Sequence, residues 1–114
     1  AEQGHVSAQY NLGHMHEHGL GVPRDLNEAF RWYDKAARQG AADAQANLGR
    51  MYFQGQGTPR DVIMACAWFQ VAASQGIENA KLNHAFVSQQ LNPEQQQNAE
   101  QLAAKFLESS ARQP

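Results

Sequence analysis

Apolar and small residues fall along this chain in short blocks at helical spacing, separated by glycine-rich breaks. Ala8, Leu12 and Met15 share one face of a helix expected from about Ser7 to His18. The run Gly19-Leu20-Gly21-Val22-Pro23-Arg24-Asp25 interrupts it: glycines that tolerate positive φ, a proline that stops continuation, and an aspartate placed to cap the next helix. Ala29, Phe30, Tyr33, Ala36 and Ala37, with Trp32 beside them, stripe a second helix from about Leu26 to Gln39, which Gly40 ends. The same plan predicts helices over Asp43 to Gln54 and Val62 to Gln75, joined by Gly55-Gln56-Gly57-Thr58-Pro59-Arg60-Asp61. A fifth helix is expected over Asn79 to Gln90. The sixth starts at Asn92-Pro93-Glu94-Gln95, with Asn as cap, Pro at the first helical position and Gln three residues after the cap. Ala99, Leu102, Ala103, Phe106 and Ala111 give it an apolar stripe on a Gln/Glu-rich background.

The blocks recur at a shift of 36 positions, which lays Gly13 on Gly49, Gly19 on Gly55, Asp25 on Asp61, Trp32 on Trp68 and Gly40 on Gly76. A period of this size is the mark of a solenoid, whose units bury their apolar faces only against neighbours. The expected divisions are a repeat at 5–40, a second at 41–76, and a divergent repeat with a terminal cap at 77–114. Residues 1–4 match 37–40 and 73–76, the tail of a further repeat. The expectation is therefore a piece of a longer array or a processed chain, and the lack of a signal peptide carries no weight.

Two departures from the period matter. Where the second helix has Asn27, Glu28, Arg31 and Lys35, the fourth has Ile63, Met64, Ala67 and Val71. An extra covered face is expected there, beneath the last helix or beneath another chain. The third unit lacks the Gly-x-Gly loop and carries His84 and Ala85 where Leu48 and Gly49 stood. Its helix pair reads as a closing cap with a polar outer surface.

With 114 residues and 42% apolar content the chain has one domain's worth of core. Nine basic against eleven acidic residues give no electrostatic footprint for nucleic acid. No apolar run approaches the roughly 18 residues of a membrane span. The single cysteine, Cys66, excludes an internal disulfide framework.

The pattern Ala-x-x-x-Leu-Gly-x-Met-Tyr-x-x-Gly-x-Gly, then Asp-x-x-x-Ala-x-x-Trp-Phe-x-x-Ala-Ala-x-x-Gly, is carried by Ala44, Leu48, Gly49, Met51, Tyr52, Gly55, Gly57, Asp61, Ala65, Trp68, Phe69, Ala72, Ala73 and Gly76. It resembles the Sel-one-like repeat, a relative of the tetratricopeptide repeat. Residues 1–76 match well, while 77–114 resemble the divergent closing segment of such arrays. The resemblance implies an all-α, right-handed superhelix of antiparallel helix pairs, three units and six helices here, with the first helix of each pair lining a concave surface. It also implies a non-catalytic adaptor or scaffold for protein complexes, with no cofactor. The closing segment favours a bacterial chain, periplasmic or secreted ahead of cytoplasmic, with a eukaryotic origin left open.

Candidate contacts come from register. Asn11, His14 and His18 stripe the first helix beside its core face; their equivalents are Asn47, Arg50 and Gln54, and Asn83 continues the asparagine series. These seven are the expected partner-binding residues, offering donors and acceptors to a peptide backbone. Arg50 is the foremost charge contact, since its fork holds a carboxylate bidentately. The alternative for the repeated asparagine is a brace between units. His14 and His18, one helical turn apart with Glu17 or His5 nearby, have the composition of a zinc or nickel half-site, but His16 falls on the inward Tyr52 position and no second ligand pair matches; no metal is expected. Nor is catalysis expected. Ser7, Ser74, Ser88, Ser109 and Ser110 each lack a lysine three places on, which excludes the Ser-x-x-Lys nucleophile. The Gly-x-Gly pairs join helices, whereas a dinucleotide fingerprint comes after a strand. Cys66 sits mid-helix among apolar residues, as a buried inert thiol. The remaining role is structural: extension of a longer array, or self-association through an apolar edge at Val6 and Tyr10. The expected core includes Leu12, Leu48, Trp32 and Trp68.

Overall fold

Several helix starts are set by side chains that the sequence places at the cap. The computed structural model describes residues 2–111, in which six helices succeed one another: α1 (Glu2–His18), α2 (Leu26–Arg38), α3 (Ala42–Gln54), α4 (Val62–Ser74), α5 (Glu78–Ser88) and α6 (Pro93–Ala111). Asp25 caps α2 by accepting from the backbone N–H groups of Asn27 and Glu28, and Asp61 caps α4 by accepting from that of Met64. The start of α6 is a reciprocal capping box: the Gln95 N–H donates to Asn92 Oδ1 at 2.8 Å, and the Asn92 N–H donates to Gln95 Oε1 at 3.0 Å. Arg24 and Arg60 stitch the two Gly-x-Gly loops, their Nε groups donating to the carbonyls of Glu17 and Phe53.

Within the first two pairs, a ring lies flat on a glycine. A Cβ on Gly13 would stand 2.7 Å from Tyr33, and one on Gly49 would stand 2.6 Å from Phe69. Side-chain-free positions in α1 and α3 are thus what let α2 and α4 close on them. Within each pair, glutamines recur as braces: Gln39 donates to Gln9 at 2.7 Å and Gln75 to Gln45 at 2.5 Å. Gln45 is fully buried, and its amide is completed by donation to the Ala37 carbonyl.

The sixth helix lies along α4 and reaches α2, making little contact with α5. Trp68 and Phe106 stack with ring centroids 4.0 Å apart and planes 8° from parallel, under the guanidinium of Arg38. This is the cover that the apolar register of α4 calls for, and it buries Ala67, Trp68 and Val71 completely.

Several expected placements differ in the structure. Leu48 and Trp68 are fully buried, but Leu12 and Trp32, their equivalents in the first unit, are only half-buried. Trp32 has the Lys35 ammonium 4.7 Å over its ring. Ala44, Leu48 and Met51 pack under α2, whereas Ala8 is exposed and Met15 half-buried, because no helix among the described residues occupies that side of α1. α1 runs on through Gly4, whereas Gly40 and Gly76, its register equivalents, hold positive φ in tight turns. Ala1 of the expected repeat tail, and the Ala111 side chain, lie outside the described residues.

Candidate functional site

The first helices of the three units, α1, α3 and α5, place the expected contact residues in four separate positions. Arg50, Gln54 and Asn83 meet at a cleft of about 280 Å³ between α3 and α5, lined also by Phe53, Phe69, Phe86 and Val87. Asn11 lies apart, in a second cleft of about 270 Å³ with Tyr10, Asp43 and Ile77. His14 and His18 are exposed on α1 with their rings 4.5 Å apart. Asn47 is half-buried and donates to the Tyr10 hydroxyl at 3.4 Å, a contact of the bracing kind that a repeated asparagine also allows.

Arg50 is engaged within the chain. Its Nη2 donates to Glu17 Oε2 at 2.5 Å and its Nη1 to Gln56 Oε1 at 3.2 Å. Glu17 is 8% exposed and also accepts from the Tyr33 hydroxyl at 2.8 Å, with His18 Nε2 3.6 Å away. Burial alone would raise the Glu17 carboxyl; the Tyr33 hydroxyl and the Arg50 guanidinium outweigh it and hold the group below the usual range. Burial, reinforced by the Glu17 charge, pushes the Tyr33 phenol far above its ordinary value, so it remains a donor. Glu17 is not among the expected site residues, yet it ties α1, α2 and α3 together. The sequence does hold a signal: Glu17 and Arg50 stand one shift of 36 upstream of Phe53 and Phe86, so both members change together. Phe53 and Phe86 in turn meet edge to face, 6.3 Å apart, at the equivalent joint of α3 with α5.

Leu82 and Phe86 are likewise absent from the expected residues. They lie one turn apart on α5, 71% and 59% exposed, and Phe86 forms a wall of the larger cleft. Cys66 is buried and its thiol is pushed up, by burial first and the Glu100 charge second, which disfavours a reactive thiolate. Among the described residues no group of three or more His, Cys, Asp and Glu side chains is placed to hold a metal ion. No described helix is long and apolar enough to cross a membrane.

The Sel1 repeat family model matches twice, over residues 6–40 and 42–77. Among solved structures, the chain is similar to a protective antigen of uropathogenic Escherichia coli with an SLR fold, at TM-score 0.86 and 35% identity over 94% of this chain and 24% of that one. It is also similar to a Sel1 repeat protein from Oxalobacter formigenes, at TM-score 0.69 and 41% identity, covering 70% of this chain and 60% of that one. A curated relative, the ERAD-associated E3 ubiquitin-protein ligase component HRD3B of Arabidopsis thaliana, is 56% identical over 34 residues, 30% of this chain and 6% of its own length. The chitin synthase regulator SKT5 of Malassezia restricta is 53% identical over 36 residues, 32% of this chain and 2% of its own. The chain thus spans only a small part of these curated relatives. Two consecutive matched repeats, covering more than half of the residues and folded as helix pairs on an SLR-like path, show that the chain belongs to the Sel1 repeat family.

Proposed function

We propose that this chain is a non-catalytic protein-binding module, and that the cleft between α3 and α5 holds a segment of a partner protein. The observation that carries the reading is the cleft itself: Arg50, Gln54 and Asn83 supply polar groups around an aromatic wall, and Phe86 and Leu82 stand open beside it. An apolar anchor ringed by a few polar groups is the usual build of a binding hot spot. The curated relatives are named as a ligase component and a synthase regulator, roles exercised through other proteins. Asn11, His14, His18 and Asn47 extend the same surface, with Asn47 acting mainly by fixing α3 against Tyr10.

Site-specific photo-cross-linking tests this directly. With p-benzoylphenylalanine at Leu82, ultraviolet irradiation of cells making the protein should yield a discrete cross-linked partner. The same reporter at Gln101, exposed on α6, should not. Equal labelling at both positions, or none at Leu82, overturns the assignment.

A further inference from the structure

The cleft between α3 and α5 is apolar at its base, and the charges around it are paired. Buried Phe69 and Val87 form the base, and Phe53 meets Phe86 edge to face at the side. The Arg50 guanidinium is held by Glu17 and Gln56, and the Lys81 ammonium lies 3.2 Å from Glu78 on the same helix as Phe86. Gln54 and Asn83, exposed at the rim, are its neutral polar groups. Leu82 stands one turn before Phe86 on α5, and the two are the most exposed large apolar side chains among the described residues. Phe86 therefore belongs both to the cleft and to an open apolar ridge along α5.

Resting on the protein-binding reading above, we propose that the partner segment is a short amphipathic helix lying along α5, with one large apolar side chain in the cleft and a second, three or four positions away, against Leu82. The anchor spacing follows α5. Leu82 and Phe86 are one helical turn apart, about 5.4 Å, and side chains at i and i+3 or i+4 of a facing helix stand about 5–6 Å apart. The helical form follows from the backbone. An extended segment brings N–H and C=O groups that need partners, and the repeated asparagine supplies them only if each unit offers one to the same groove. Asn47 instead donates to Tyr10 and Asn11 lines the other cleft, which leaves Asn83 alone of the three at this one. A helix satisfies its backbone internally, and one about 10 Å across lies over the cleft while a single side chain enters its volume of about 280 Å³. Size sets aside a second copy of this chain as the occupant. A stable interface buries about 800 Å² per partner, far more than two side chains on an 11-residue helix provide. With the nearby charges paired, the attraction is apolar and owes little to salt.

Two phage libraries panned on the 114-residue chain supply the probes. One displays random linear dodecapeptides; the other displays an alanine-rich helix of about 18 residues, above the length at which isolated helices become stable, randomised along one face. Enriched peptides are measured by fluorescence anisotropy against wild type, Phe86→Asp and Leu82→Asp. Both positions are exposed, and circular dichroism confirms that the helices remain. The expected binders carry two of Leu, Phe, Met or Trp three or four positions apart. They weaken at least about tenfold on Phe86→Asp and about fivefold on Leu82→Asp, and they lose binding when a proline is placed between the two anchors. Their affinity changes less than about twofold between low and high salt. Peptides that lose binding on Phe86→Asp but ignore Leu82→Asp, tolerate the proline or space their anchors two apart overturn the helix while leaving the cleft as the binding site. A loss of about tenfold at high salt overturns the apolar chemistry. Peptides that bind wild type and Phe86→Asp equally, or no enrichment from either library, overturn the cleft reading and the proposal with it.

Discussion

Replacing Arg50 with alanine isolates the joint between the first two units. The Glu17 carboxylate, 8% exposed, would keep the Tyr33 hydroxyl and lose its guanidinium. Breaking a fully buried ion pair costs roughly 3–5 kcal/mol. The Arg50 side chain is 35% exposed, so solvent reduces this to about 1–2 kcal/mol, a fall in Tm of about 4–8 °C for a domain of this size. The pH dependence carries the sharper test. Because the folded Glu17 carboxyl lies below its unfolded value, its contribution is complete above roughly pH 4.3 and is lost as pH falls through the folded value. In Arg50→Ala, burial is opposed only by Tyr33 and His18, the folded value rises, and lowering the pH from 7 to 4 costs the variant less than wild type. Urea unfolding followed by tryptophan fluorescence at both pH values measures this. A variant within about 0.5 kcal/mol of wild type at pH 7, or parallel acid losses in the two proteins, refutes the reasoning.

Leu48→Ala should cost about 2–5 kcal/mol through lost burial and a cavity, and Leu12→Ala, half-buried at the same register, about half as much; chemical denaturation compares them. Gly49→Ala gains about 1 kcal/mol of helix propensity but sets a Cβ 2.6 Å from Phe69. Overpacking costs about 1–3 kcal/mol, so the expected balance is a loss, read as a lower Tm. Phe106→Ala should remove about 1.5–3 kcal/mol and shift tryptophan emission to the red as Trp68 opens to water, a change that Leu102→Ala, which leaves the stack in place, should not reproduce.

The fold is legible in the sequence because its determinants are local and repeated. Asp25, Asp61 and the Asn92/Gln95 box announce helix starts by residue type and spacing, and the expected helices match the observed ones within a few residues in all but the first, which starts earlier. The cover over α4 is legible for a similar reason, since polar residues turning apolar at one register require burial. The site is less legible because it depends on which side chains satisfy one another across units. Arg50 stands out by its chemistry, yet its guanidinium belongs to Glu17, 33 positions upstream. Asn47 likewise carries two readings, and its contact with Tyr10 is visible only once the helices are packed. Leu82 and Phe86 escape notice because an apolar pair at helical spacing reads as core, and the absence of α6 from that side of α5 is a tertiary fact.

The path of α6 has a consequence for how the array unfolds. In a simple linear array each unit is coupled to its immediate neighbours, so the ends fray first and stability is a sum of local terms. Here the last helix skips α5 and stacks on Trp68, while Arg38 from the first unit reaches over the same rings. That linkage spans non-adjacent segments: α6 rests on α4 and, through Arg38, on the first unit, so loosening α6 weakens the first two units at once. The chain should therefore melt as one cooperative block, with its C-terminal helix acting as a latch on the middle of the molecule.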